Sequence, residues 1–223
     1  MELIEAIKSR RSIRGYKNTP VPEEALTGIL KAALMSPSAV NHQPWECIVL
    51  TGESLERAKR VNAELFSSGA EAKPDLPPGE FTGAYRERQL TLAKGIFGVM
   101  SISREDKEKR AQWGLKGMRF YDAPAVILIC ADESVLRNEN QTSLFDLGIV
   151  TQTIALVALE YDLGTCIQRI SANYPQSLRE ALGISHSKRL VATLSLGYPD
   201  WDFPANALRS EREPLDSLVT WKS

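Results

Sequence analysis

This chain lacks any imbalance of charge. Its 223 residues carry 27 Lys and Arg against 28 Asp and Glu, a formal net charge of -1, with a pI near 6.2. That excludes the broad basic field of nucleic-acid binders, whose domains have pI values above ~9. Histidine is scarce as well: His42 and His186 are the only two, far apart, which argues against a histidine metal site or an acid/base pair built on them. The three cysteines, Cys47, Cys130 and Cys166, have neither the spacing of a zinc site nor the even count of a disulfide framework. They point to a reducing, cytoplasmic setting, with Cys47 and Cys130 as packing residues in apolar runs. No continuous apolar run approaches the ~18 residues of a membrane span, and the opening Met1-Glu2-Leu3-Ile4-Glu5 is acidic and amphipathic, not a signal sequence. Internal repeats and low-complexity tracts are absent too. Composition therefore predicts a soluble α/β chain without membrane or nucleic-acid partners, long enough for one domain over 1–223.

Hydrophobic spacing supplies the elements. Leu3, Ile4 and Ile7 mark a first helix from Glu2 to Ser9, and Val21-Pro22-Glu23-Glu24 is a start signal for a second, running to about Met35. Glu46 to Leu50 is a short strand, and Leu55, Ala58, Val61 and Leu65 follow at helical spacing. Ser67 to Gly83, rich in Ser, Gly and Pro, predicts a surface loop, and two charged helices follow near 84–100 and 104–121. Ala125 to Cys130 and Leu190 to Leu196 are β-branched core strands. The region of about 67–122 is thus an excursion between two strands, of the kind that forms lids or binding walls. The stretch Leu144–Leu159 is apolar nearly all round and needs burial in the centre or against a second subunit. A helix over 175–182 ends at Gly183. The extension 201–223 is irregular yet carries Leu215, Leu218, Val219 and Trp221, which need a surface to lie on.

Two clusters carry chemistry. Arg10-Arg11-Ser12-Ile13-Arg14 places three guanidinium groups and a hydroxyl in one short stretch at a helix end. Guanidinium forks hold phosphate through paired hydrogen bonds; a solvated basic helix end, with cations at the negative pole of the dipole, reads equally simply. The second cluster, Ser36-Pro37-Ser38-Ala39-Val40-Asn41-His42-Gln43-Pro44-Trp45, presents Ser, Asn and Gln from a loop stiffened by prolines. Such amides match the alternating donors and acceptors of a heterocycle edge, or stabilise a polar turn.

Together these two clusters resemble the flavin-dependent nitroreductase family. The resemblance continues through Asp146-Leu147-Gly148, Leu163-Gly164-Thr165-Cys166, Leu196-Gly197-Tyr198-Pro199 and Arg212-Glu213-Pro214-Leu215, landmarks that span nearly the whole chain in order. It implies an α+β fold with a central, mostly antiparallel sheet flanked by helices, and a homodimer that exchanges its C-terminal arm and binds FMN at the subunit interface. Matched positions would place Arg10, Arg11, Ser12 and Arg14 on the FMN phosphate, ribityl chain and ring edge. Pro37, Ser38, Asn41 and Gln43 would complete the site, partly from the other subunit, and Arg212 would return to the phosphate. Gln168 or Arg169 would bring a backbone N–H to flavin N5. The chain departs from the pattern at Arg169, where many relatives carry Gly, and at Ser210, where a basic residue is usual; neighbouring Arg209 is the candidate replacement. With the redox work left to the cofactor, no catalytic triad is required, and Cys166 reads as packing.

The excursion resembles the subgroup that reduces nitrobenzoate and other nitroaromatics. The activity this implies is NAD(P)H oxidation and ping-pong reduction of a small flat aromatic acceptor, a nitroarene or a quinone, with NADPH or NADH as reductant. Phe97, Trp113 and Phe120 are candidates for the wall against which that acceptor stacks; the alternative is that they pack the excursion onto the core. Rival readings are flavin-dependent dehalogenation or flavin destruction on the same scaffold, a flavin-binding redox sensor with little turnover, and an anion-binding module without flavin.

Overall fold

Strand Ala125–Asp132 organises the molecule: seven of its eight residues are buried. In the computed structural model, which describes residues 2–136 and 141–222, the elements run α1 (Leu3–Ser9), α2 (Glu23–Ala33), β1 (Glu46–Leu50), α3 (Gly52–Ser67), α4 (Gly83–Val99), α5 (Lys107–Met118), β2 (Ala125–Asp132), α6 (Glu133–Leu136), α7 (Gln141–Val157), β3 (Gly164–Gln168), α8 (Pro175–Leu182), β4 (Lys188–Gly197) and α9 (Leu215–Leu218). The four strands form one sheet in the order β1-β2-β4-β3. Every pairing is antiparallel, with Glu46 opposite Cys130, Ala125 opposite Leu196 and Gly164 opposite Gly197. The architecture is therefore α+β, as the resemblance implied, and not the α/β class that composition alone suggested.

Alternation along β2 builds two cores. Ala125, Ile127 and Ile129 face one layer with Ile29 of α2 and Leu147, Val150 and Ile154 of α7. Val126, Leu128 and Cys130 face the other, with Leu55 and Ala58 of α3, Leu178 of α8 and Phe120. The stretch Gln141–Tyr161 is apolar enough to pass for a membrane span by length and composition. Its residues Leu147, Val150, Ile154 and Ala155 lie fully inside the first core, and it serves as the central helix. α8 begins on Pro175 and stops at Gly183, whose φ of 66° suits a residue without Cβ.

The expected surface loop after α3 is only half free. The Lys73 N–H donates to Asn173 O (3.0 Å) and the Tyr174 hydroxyl to Ala70 O (3.1 Å). The Asp75 side chain, 4% exposed, accepts from Arg179 Nη1 (2.5 Å) and the Leu190 N–H (2.7 Å), with Arg189 Nη1 3.4 Å away. One carboxylate thus anchors the start of the excursion to α8 and β4. Removing one member of a buried ion pair leaves an uncompensated charge and costs about 3 kcal/mol or more. Asp75→Asn is expected to lower Tm by roughly 6–12 °C for a chain of this size; thermal unfolding by circular dichroism checks it. Beyond this anchor α4 has no fully buried residue of its own.

Candidate functional site

The basic segment leaves α1 and lies along β3. Ser12 bridges Thr165 in parallel fashion, and the Ile13 N–H donates to Thr165 O (2.9 Å). The approach is close because Gly164 has no side chain: a Cβ there would fall 2.4 Å from Ile13 Cγ1 and 2.9 Å from the Pro199 ring. Two residues on, Asn206 clamps the backbone. Its Oδ1 accepts from the N–H groups of Arg14 (2.7 Å) and Gly15 (3.2 Å), and its Nδ2 donates to the carbonyls of Gly15 and Asp200, both at 2.7 Å. This buried amide gave no sign of itself in the sequence.

Arg10, Arg11 and Arg209 line a cavity of about 290 Å³ walled by Leu163, Gly164 and Thr165. Burial and then the nearby Arg212 lower the Arg10 pKa; burial and then Arg209 lower that of Arg11. Four guanidinium groups therefore crowd one corner, with Arg11 also 4.6 Å from the Trp201 ring centre. Among the described residues no carboxylate lies within ion-pair distance of Arg10, Arg11, Arg209 or Arg212. Like charges so placed oppose one another, and an oxyanion with several acceptor atoms relieves the repulsion. Arg209 sits where the sequence suggested a substitute for a missing base, while Ser210 accepts a hydrogen bond from Arg212 (2.9 Å). The Ser12 hydroxyl bonds to Cys166, whose thiol burial holds in its neutral form.

The polar loop lies at a different corner. It precedes β1, an edge strand, at the Glu46 end, whereas the basic segment flanks β3, the opposite edge, at its Gly164 end. Three strand spacings, about 14 Å, separate those edges, and among the described residues no hydrogen bond or ion pair joins the two clusters within one chain. α7 holds the loop in place. Asp146 accepts from the Ala39 N–H (3.1 Å) and lies 3.5 Å from His42, while Ser36 bonds to Thr153 (2.9 Å). His42 also meets Ser143 (3.2 Å), a structural role. The Ser38 hydroxyl accepts from the Gln43 N–H (2.9 Å), and Val40, Asn41 and Gln43 adopt left-handed backbone, with φ of 47°, 59° and 44°. The turn leaves Pro37, Asn41 and Gln43 exposed.

The remaining candidates part company. The Gln168 side chain is buried and spent, donating to Gly117 O (3.0 Å) and accepting from Ser195 (2.6 Å). The Arg169 guanidinium turns to the Leu76 carbonyl. Trp113 stands partly exposed beside Tyr121 (5.5 Å between ring centres) and Phe203 (6.5 Å). Phe97 packs under Arg110 at 4.4 Å. Phe120 requires correction: it has no exposed surface and belongs to the second core with Leu55 and Leu128, so it offers no wall to an acceptor.

A model of the nitroreductase family matches residues 7–198. The chain belongs to that family. It is 30% identical over 220 residues to a 4-nitrobenzoate reductase of Nocardioides sp., covering 96% of this chain and 87% of that one. It is 30% identical over 218 residues to the nitrobenzene nitroreductase of Ectopseudomonas oleovorans, covering 96% and 94%. The FMN-dependent nitroreductase NfnB from Mycobacterium smegmatis, solved in complex with NADPH, superposes with a TM-score of 0.92 at 26% identity, over 99% of this chain and 97% of that one. The nitroreductase fold thus extends over essentially all of the described residues, excursion included.

Proposed function

We propose that this nitroreductase-family chain is an FMN-dependent NAD(P)H oxidoreductase that reduces nitroaromatic compounds. The observation that carries the reading is the corner of four guanidinium groups around Arg10 that, among the described residues, has no carboxylate partner, which fits a phosphate monoester. Arg10, Arg11, Arg209 and Arg212 hold the phosphate, Ser12 and Thr165 border the ribityl chain, and Arg14 meets the acceptor-rich ring edge. FMN, when bound, supplies the hydride chemistry, taking a hydride from the nicotinamide and passing one to the acceptor. The protein's part is to fix, orient and exclude water. Trp113, partly exposed beside Tyr121, offers a surface on which a flat acceptor can stack.

A homodimer completes the site. One chain keeps Ser38, Asn41 and Gln43 apart from its own basic corner, so the partner subunit's copy of that loop is the one that faces it. Leu3, Ile4 and Ile7 of α1 are 65%, 61% and 50% exposed, and Leu215, Leu218 and Trp221 of the tail 63%, 66% and 81%. Apolar surface on that scale marks an interface. The three thiols are unpaired, as suits a cytoplasmic enzyme.

The test is anaerobic titration of FMN-loaded protein. NADPH or NADH is expected to bleach the yellow band, and 4-nitrobenzoate to restore it. A yellow protein that neither nicotinamide bleaches refutes the reductase reading, and a colourless protein that takes up no FMN refutes the cofactor assignment.

A further inference from the structure

The end of α5 runs into a strained turn that nothing in the assignment above explains. Phe120, Tyr121 and Asp122 follow one another with φ of 56°, 54° and 59°. For residues with a Cβ this left-handed region is unfavourable, and it persists only where the surroundings over-determine it, commonly beside functional groups. The surroundings here do so. Phe120 is locked in the second core with no exposed surface. Asp122 is tied to Lys116 at 3.0 Å and to Arg119 at 2.6 Å. What the turn accomplishes is to carry Tyr121, 9% exposed, across to Arg14, whose guanidinium carbon lies 6.0 Å from the Tyr121 ring centre.

Arg14 is otherwise held by its backbone. Asn206 fixes its N–H, and its own Nη1 donates to Ser12 O (3.3 Å). Among the described residues no carboxylate pairs with it, which separates it from a guanidinium locked in an ion pair and leaves most of its five donors free. An aromatic face beneath a cation, with the Tyr121 hydroxyl engaging one donor, restrains its position and leaves the other donors free. Burial, then Cys166, pushes the Tyr121 phenol up to about 12, with Arg14 pulling the other way, so the ring stays neutral throughout the working pH range.

We infer that Tyr121 is a positioning residue for Arg14: the strained turn holds its ring against the guanidinium so that the free donors stay aimed at the ring edge of the bound flavin. This rests on the reading of the site as an FMN site. A guanidinium fixed there stabilises the negative charge that FMN gains on reduction more than it stabilises oxidised FMN. Loosening Arg14 therefore changes the potential more than the affinity. A purely structural role for Tyr121 would lower stability and leave the potential alone.

The experiment measures the midpoint potential of bound FMN in the wild-type protein, Tyr121→Phe, Tyr121→Leu, Arg14→Lys and the pair Tyr121→Leu/Arg14→Lys, with flavin retention checked after gel filtration. Tyr121→Leu is expected to reduce the preference for reduced over oxidised FMN about tenfold, a fall of about 30 mV for a two-electron couple. Tyr121→Phe keeps the ring face but removes the hydroxyl that engages Arg14, and should lose about threefold. On the Arg14→Lys background Tyr121→Leu should add nothing. Unchanged potentials in Tyr121→Phe and Tyr121→Leu with flavin retained overturn the inference, as does full additivity in the pair. Should Tyr121→Leu not fold, Tyr121→Phe carries the test on its own. Wild-type protein that binds no FMN overturns both this inference and the functional reading, and it is recognised without any variant.

Discussion

Arg10→Ala is expected to weaken FMN binding about 100-fold, measured by quenching of flavin fluorescence on titration with apoprotein. Hydrogen bonds to a charged partner contribute about 1.5–3 kcal/mol each, and a guanidinium fork makes two of them. A net loss near 3 kcal/mol is roughly two decades in Kd. The same substitution should leave the Tm of the apoprotein level or slightly raised. In the folded chain Arg10 is opposed first by burial and then by Arg212, and among the described residues it has no carboxylate partner to lose. That divergence separates a ligand-holding residue from a structural one, since a structural residue would lower both quantities together. Arg10→Lys keeps the charge without the planar fork, so its Kd should fall between, about tenfold above wild type. An unchanged Kd in Arg10→Ala would remove Arg10 from the phosphate site.

How much of this was readable beforehand follows from what each signal depends on. β2 and α8 announce themselves locally: one is a β-branched run buried on both faces, the other is bracketed by Pro175 and Gly183. β3 does not. Gly164-Thr165-Cys166-Ile167-Gln168 is short and mixed, and it is a strand because β4 pairs with it on one side and Ser12 bridges it on the other. Propensity yields there to tertiary pairing. The basic corner is legible because charge is conspicuous at any position, whereas Arg209 was a candidate only through the family resemblance, which calls for a basic residue where Ser210 stands. Where the Ser38-Asn41-Gln43 loop lies was not legible, since strand order decides which corner it occupies. Phe120 shows the same limit: aromatic character marks it for a wall or for the core equally, and a left-handed turn decides for the core.

Asn206→Ala is expected to be the most destabilising single change outside the two cores. Asn206 has no exposed surface, and its amide uses both donors and both acceptor positions on Arg14, Gly15 and Asp200 across as many as 192 residues of sequence. Truncation removes four hydrogen bonds, at about 1 kcal/mol each; it orphans the Arg14 and Gly15 N–H groups, while the Gly15 and Asp200 carbonyls keep their bonds from the Asp200 and Phe203 N–H groups. A loss near 4 kcal/mol corresponds to a fall in Tm of roughly 8–16 °C. No side chain nearby replaces the clamp, because Phe203 fills the space beside Gly15, where a Cβ would lie 2.3 Å from its ring. Asn206→Asp sharpens the test. A carboxylate still accepts from the Arg14 and Gly15 N–H groups, but it presents an oxygen to the two carbonyls that the amide nitrogen had served. Facing those carbonyls in a buried site, the carboxyl has a folded-state pKa above its unfolded value near 3.9. Its destabilisation is therefore largest at neutral pH and declines as the pH falls through the folded pKa, when the protonated group donates one of the two lost bonds. Tm measured from pH 8 down to pH 5 should thus converge toward wild type for Asn206→Asp and stay uniformly low for Asn206→Ala. Parallel profiles for the two variants would mean that the donor half of the clamp contributes nothing, and that Arg14 and Gly15 are held by their N–H groups alone.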